Sequence, residues 1–522
     1  MDVLVVPPLA DFTTVVAPPP GMALLDLNEH LVRRLADPAR LRAAADRRPG
    51  GPLTALIGRA AAAILARGAY DDAHVRAVGA ALGLAADPAV RLAVDGLELT
   101  EGSEESSRDL LGAARRCELF APEIELAREV TRGRRANIVI DRANQLPAAF
   151  ALVAALGEGV TLCGRHVAEH RAALRRIPEL AGVRWDAWSP EQLIRPPWCE
   201  TARAGTRATS PDERALQADG GETVSWGRGD VGAASPDEWV LRAGGGEAIG
   251  SGRGGVEPVR WVVGERPLPG GGGPWAGRLD VARAAALPGE ALARCRGLTL
   301  MLTRVDFLGV ATGLTGGVAD LRRLRAALPP GVPVTGELAV GAPGVSAEAA
   351  EESMELLAGG LAGVRPAGVR PYRMGVRAPW TAGEVLMRPP RAGHDLARWA
   401  EFDAPGGMSP DEVAILLRRW VERLPGVPAG RLAACSVAGP AAPGPPGGAW
   451  DPCTEVVAGA GPDGRGPGTF AVNLRSGRSI RLHHLLVAPV SRLAADPHAL
   501  DHLAEPARRR LTAELAAAGV LR

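Results

Sequence analysis

Val3-Leu4-Val5-Val6, then Pro7-Pro8, then Pro18-Pro19-Pro20-Gly21-Met22-Ala23-Leu24-Leu25: the chain opens on this stretch, and its reading decides the fold class. A short apolar run reads as a buried parallel strand. Prolines cannot extend it, because they lack the N–H that a ladder needs. After Gly21, the positions Met22, Leu24, Leu25, Leu27, Leu31 and Val32 suit the buried face of a helix. Strand, open loop, helix is the start of a doubly wound α/β domain. Ligands of such domains bind outside the carboxyl ends of the strands.

The pattern continues downstream. Leu31 to Ala45, Leu53 to Arg67 and Ala73 to Leu82 have helical spacing, and residues 30–132 read as helical overall. A strand is expected over 136–141, a helix from Asn144 to Leu156, a strand over Val160–Cys163 ending at Gly164, a helix from Val167 to Ile177 and a short strand at 183–186. Alternating strands and helices imply right-handed crossovers and a parallel sheet. Periodicity fades over 199–275, where glycine runs alternate with polar residues. Gly250-Ser251-Gly252-Arg253-Gly254-Gly255 matches G-x-G-x-x-G there, but Val256-Glu257-Pro258-Val259 does not open the helix a dinucleotide site requires. Strand–loop–helix units return with 297–302, a helix over 318–328, a strand over 334–340 and an acidic helix from Ala347 that Ser346 can cap. They suggest a partial β/α barrel. Phe470 to Leu474 and Ser479 to Leu482 read as a hairpin around Ser476-Gly477, followed by two helices in a winged-helix-like pattern.

Composition bounds the function. At 522 residues the chain is long enough for about three domains of ~100–200 residues. All 60 basic residues are arginine, against 59 acidic ones, so the net charge is +1 and no nucleic-acid footprint emerges. No apolar run is long enough to span a membrane, and the start lacks a basic n-region. The cysteines, Cys117, Cys163, Cys199, Cys295, Cys435 and Cys453, form no disulfide framework, so a cytoplasmic location is expected.

Taken in order, these stretches resemble the cobalamin-binding radical SAM family of peptide natural-product maturation. The first strand and Pro18-to-Leu25 loop resemble the opening of its cobalamin-binding domain, and Asn144-Gln145 with the strand ending at Cys163-Gly164 looks like the later part. Val340-Gly341-Ala342-Pro343-Gly344 resembles the GxPGE-type loop of the radical SAM barrel, with Val345 in place of the glutamate. The resemblance implies a Rossmann-like cobalamin-binding-type domain with a helical insertion over 1–190, a Gly-rich irregular linker region over 191–280, a radical-SAM-like β/α barrel over 281–435, a Pro/Gly linker over 436–468 and a C-terminal helical module over 469–522. It implies Pro20, Gly21, Asn144, Gln145, Gly164, Gly341, Pro343 and Gly344 as cofactor-binding residues, with cobalamin and S-adenosylmethionine as candidate cofactors.

One departure dominates. The family's CxxxCxxC motif, which holds a four-iron, four-sulfur cluster through three thiolates, is missing, and no two cysteines here have its spacing. Cys199 stands alone where the motif is expected. No iron–sulfur cluster, no radical initiation by this chain alone and no metal site are therefore expected. His166 and His170 have ligand-like spacing on a helix, but an exposed amphipathic helix is the preferred reading. His483-His484, Glu337 and Asp306 read as structural. Two classes of function stay open. One is a cluster-less component that binds a peptide substrate or a cognate modifying enzyme during maturation of a ribosomally made peptide. The other is a non-radical methyl- or group-transferase using cobalamin or S-adenosylmethionine. Arg475, Arg478 and Arg481, on or beside the C-terminal hairpin, are candidates to meet an acidic leader peptide.

Overall fold

The computed structural model describes residues 2–11, 14–47, 51–67, 72–85, 87–92, 96–194, 242–243, 259–263, 273–302, 318–360, 363–376, 385–403, 406–420 and 450–521. The fold is mixed α/β. Asp2–Val6 (β1) is followed by Thr14–Ala17 (β2) and Met22–Asp26 (β3). β3 runs parallel to β1, with Val3 opposite Ala23 and Val5 opposite Leu25. The sequence reading placed a helix from Met22. A four-residue apolar run, Met22 to Leu25, is indistinguishable by periodicity from a buried helical turn, and here it supplies the partner on one edge of β1. The helix begins only at Leu27, where the Asp26 carboxylate accepts the Glu29 N–H at 2.8 Å.

The helical stretch then holds as expected: Leu27–Leu35, Pro38–Arg47, Pro52–Ala66, Asp72–Leu84, Ser107–Arg116 and Ala121–Val130. A small hairpin, Val90–Leu92 (β4) with Leu97–Leu99 (β5), interrupts it. Ala136–Val139 (β6) pairs with the other edge of β1, and Val160–Cys163 (β7) and Arg184–Trp185 (β8) extend the sheet, all parallel. The helices Leu146–Leu156 and Arg165–Leu174 connect these strands. Arg242–Ala243 (β10) adds an antiparallel edge, giving the order β10-β3-β1-β6-β7-β8.

The two faces of this sheet differ. Val3, Val5, Leu25, Ile138 and Leu162 pack into one large core with the helices. Leu4, Val6, Leu24, Val139 and Cys163 pack instead on Val15, Val16 and Leu193. Those residues belong to β2 and to Glu191–Ile194 (β9), strands of a second sheet. A doubly wound sheet carries helices on both faces. Among the described residues, this one has helices on one face and strands on the other.

The second sheet has the order β15-β14-β13-β12-β11-β9-β2. Arg260–Val263 (β11), Trp275–Asp280 (β12), Cys295–Leu302 (β13), Val334–Val340 (β14) and Arg365–Pro371 (β15) are parallel, while β9 and β2 close one edge antiparallel. Intervening helices include Val318–Ala327 and Ala347–Ala358, the latter capped by Ser346 as its sequence suggests. β9, β11 and β12 fall within 191–280, read from sequence as irregular: strands this short between glycine runs leave no measurable period. Two short pairings follow, Met374–Gly375 (β16) with Trp399–Ala400 (β18) and Leu386–Met387 (β17) with Phe402–Asp403 (β19), and then the helix Pro410–Trp420.

The C-terminal unit begins before the expected hairpin. Thr454–Ala460 (β20), inside the stretch read as linker, pairs with Pro467–Asn473 (β21), which pairs with Arg478–Leu482 (β22). Ala471 and Leu482 join a core with Leu511 and Leu515 of the last helix, whereas Phe470 and Val472 pack on Leu56 and Ala60 of the helix Pro52–Ala66. Arg67 reinforces that contact, 3.0 Å from Glu455. Among the described residues no helix is long and apolar enough to cross a membrane.

Candidate functional site

The strand order of the first sheet reverses at β1, so its carboxyl edge beside β6 is the place to look for a ligand. That crevice is closed. Asp11 accepts a 2.7 Å bond from Arg142 across it, and β2 and Gln192 cover it. What remains is a pocket of about 20 Å³, room for a single water.

The open space lies beside it. A cleft of about 620 Å³ is lined from both sheets by Arg142, Arg165, Arg278, Arg370, Arg373 and Arg398, against two carboxylates, Glu104 and Asp141. Arg142 follows β6, Arg165 opens the helix after β7, Arg278 sits in β12, Arg370 in β15, Arg373 just beyond it and Arg398 just before β18. The carboxyl-end loops of two sheets thus converge on one cationic space.

Asp141 lines it, on a loop that Gln145 holds from beneath. Gln145 Oε1 accepts the N–H groups of Asp141 and Arg142 at 2.8 and 3.1 Å, which folds the loop after β6. Asp141 accepts from the Arg165 N–H at 2.8 Å, from Ser189 at 3.3 Å and from Gln192 at 2.6 Å, tying that loop to β9. Both acceptor carboxylate oxygens are therefore used on uncharged donors. Arg278 is answered by Glu337, 2.9 Å from its Nε, so Glu337 is a satisfied pair at the cleft wall. Arg370 is 3.8 Å from the same carboxylate.

The cations crowd one another. Burial first, and then Arg165, Arg142 and Arg373, hold Arg398 below the usual arginine range, with Glu169 pulling the other way. Burial and Arg278 do the same to Arg370, against Glu337. Burial and Glu98 raise Glu104, against Arg373. Asn144 lines the cleft with a buried Oδ1 that has no hydrogen-bond partner. On the helix after β7, His166 is 1 % exposed, its ring tilted 37° to that of the half-buried His170 with centroids 4.4 Å apart, so the helix is buried at His166, where the sequence reading has an exposed face. Burial, then His170, Arg398 and Arg165, push His166 down to about 2. A neutral imidazole here is what a dense field of guanidiniums permits.

The residues predicted from sequence divide. Asn144 lines the cleft, and Gln145 lines the closed crevice beside it. Gly164, with φ +106°, is explained by packing: a Cβ there would lie 2.6 Å from the Ile140 carbonyl oxygen. Gly341, φ +87°, is likewise pressed by the helix Pro410–Trp420, since its Cβ would meet Val413 at 2.6 Å. Pro343 and Gly344 complete the β14-to-helix turn, and Val345 beside them is buried in the second core. Pro20 and Gly21 form an exposed turn at the amino end of β3, the opposite end of the sheet from the cleft. Sequence reasoning missed all six arginines. With 60 arginines in the chain, no local signal marks them.

The residues do not fit a corrin. The crevice where the first sheet would seat one has room for a water, and the neighbouring cleft presents guanidiniums rather than an apolar floor. Of the cysteines, Cys117, Cys163, Cys295 and Cys453 form no disulfide, and no group of three potential metal ligands occurs among the described residues. Burial raises the Cys163 thiol and pushes Cys117 up to about 12. Cys199, Cys435, Asp306 and the 250–255 glycine motif lie outside the described residues. His483 caps the helix His484–Arg492 through its Nδ1. Arg475 bonds Asp451, Arg478 the Ala517 carbonyl, and Arg481 the Gly466 carbonyl and Asp463, so the hairpin arginines brace their own unit.

Comparison with known proteins gives no match: no family model, no curated protein and no solved structure.

Proposed function

We propose that this chain is a binding component in the maturation of a ribosomally made peptide, a cluster-less relative of cobalamin-binding radical SAM proteins that holds an acidic peptide beside a cognate modifying enzyme. In this reading the first sheet derives from a Rossmann-like cobalamin-binding-type domain, the second from a partial β/α barrel, and the tail from a winged-helix-like module. The observation that carries it is the cleft that, among the described residues, is lined by six arginines and two carboxylates. Guanidiniums gathered in one cavity repel one another, and an anionic ligand relieves that repulsion. The ligand suited to it is a chain of spaced carboxylates rather than a compact phosphate. The first amides of the helix after β7, the natural phosphate cradle, are already bonded to Asp141 and to the Ile140 carbonyl.

The test is fluorescence anisotropy with a labelled glutamate-rich peptide at low salt. The expected result is saturable binding that weakens at least tenfold in the Arg373→Ala, Arg398→Ala double variant and falls with ionic strength. Binding that is absent, or unchanged in that variant at equal thermal stability, refutes the proposal.

A further inference from the structure

The arginine cleft does not end at Arg373. The same side chain lines a second cavity of about 450 Å³, and the two spaces meet along it. The chemistry changes abruptly there. The second cavity is walled by Tyr372, Trp399, Phe402, Met408 and Val413. Tyr372 and Phe402 pack edge to face, their centroids 5.9 Å apart at 87°. Gly341 forms part of the wall with no side chain of its own. The rim is polar: Arg388 forks onto Asp403 with contacts of 2.7 to 3.0 Å, and Glu105 and Glu401 line it as well, so the ligand's carboxylates are met on the Arg373 side. An apolar, aromatic-walled recess with a polar rim is the form of a side-chain pocket.

We propose that this recess is a specificity subsite for one aromatic side chain of the acidic peptide held in the arginine cleft; the inference rests on the peptide-binding reading above. The occupant follows from the walls and from what adjoins them. Aromatic rings pack best edge-to-face or offset against other rings, and Tyr372, Trp399 and Phe402 offer three. Arg373, shared by the two spaces, places a carboxylate of the ligand next to the ring it delivers. The recognised element is therefore an aromatic residue flanked by glutamate or aspartate.

Three probes separate the outcomes: a labelled glutamate-rich peptide with one central phenylalanine, the same peptide with alanine there, and ADP as competitor. The phenylalanine peptide is expected to bind about tenfold more tightly. That preference should collapse in Trp399→Ala and also in Met408→Trp, which fills the recess while leaving every arginine in place. Equal affinity for the two peptides in the wild type overturns the subsite and leaves the arginine-cleft reading intact. Failure of both peptides to bind removes that reading and the subsite with it. Displacement of both peptides by ADP at lower concentration than unlabelled peptide overturns the inference in favour of a nucleotide. Thermal melts of both variants establish that a lost preference is not lost folding.

Discussion

Lowering the pH from 7 to 5 should cost this protein about 2 kcal/mol through one side chain, His166. The imidazole is buried, neither ring nitrogen has a hydrogen-bond partner, and its neighbours include Arg165, Arg398 and His170. Its pKa falls from 6.5 to about 2 on folding. Below 6.5 the unfolded chain therefore binds a proton that the folded chain refuses, and stability falls as pH falls. At pH 5 the unfolded imidazole is almost fully protonated, which stabilises the unfolded state by about 2 kcal/mol; the loss continues to grow towards the folded pKa. His166→Leu removes this dependence. Because the nitrogens are unpartnered, the variant should be at least as stable as wild type at pH 7, since a buried unsatisfied polar group costs about 1–3 kcal/mol. Urea unfolding of both proteins at pH 7 and pH 5 gives the double difference. A wild type and variant that lose equal stability between the two pH values would refute the burial argument.

Three further outcomes follow from the packing. Glu123, fully buried, is pushed up by burial but held below the usual carboxylate range by His30 at 2.5 Å and Arg34 at 2.8 Å; Glu123→Ala should cost about 3–5 kcal/mol in a denaturant titration, because it strands a cation. Gly164→Ala meets both a positive φ and the Ile140 backbone, and its melting temperature should drop clearly more than that of Gly21→Ala, which has the same sign of φ but open space around it. Phe470→Ala, which empties the contact with Leu56, should cost about 3–5 kcal/mol; limited proteolysis should then release the 450–521 unit, and a unit that stays protected refutes the docking role.

How much was legible depended on how local the signal was. The helices over 27–130 and the strands at β6, β7, β13 and β14 announce themselves through period and composition. Asn144 and Gln145 were singled out by the family resemblance, and the structure puts them in the loop between β6 and its helix, where Asn144 lines the cleft. β3 reads as a helix because Met22 to Leu25 is apolar on both faces, so nothing in it distinguishes strand from helix until β1 is known to need a neighbour. The cleft was invisible for a different reason. Its six arginines come from five separate stretches of the chain and acquire meaning only when two sheets fold against each other.

β2 has a consequence for synthesis. It leaves the first sheet after β1, pairs with β9 in the second, and the chain then returns to β3. Its partner emerges from the ribosome roughly 175 residues later, a delay of about 10–35 s at ~5–20 residues per second. Throughout that interval Thr14 to Ala17 is an unpaired apolar edge, and the underside of β1, β3 and β6 lacks its cover. The first 190 or so residues cannot complete their own interior while the protein is being made. Any nascent chain stalled before residue 194 presents a sticky strand rather than a finished domain, and holding that strand is work for a chaperone.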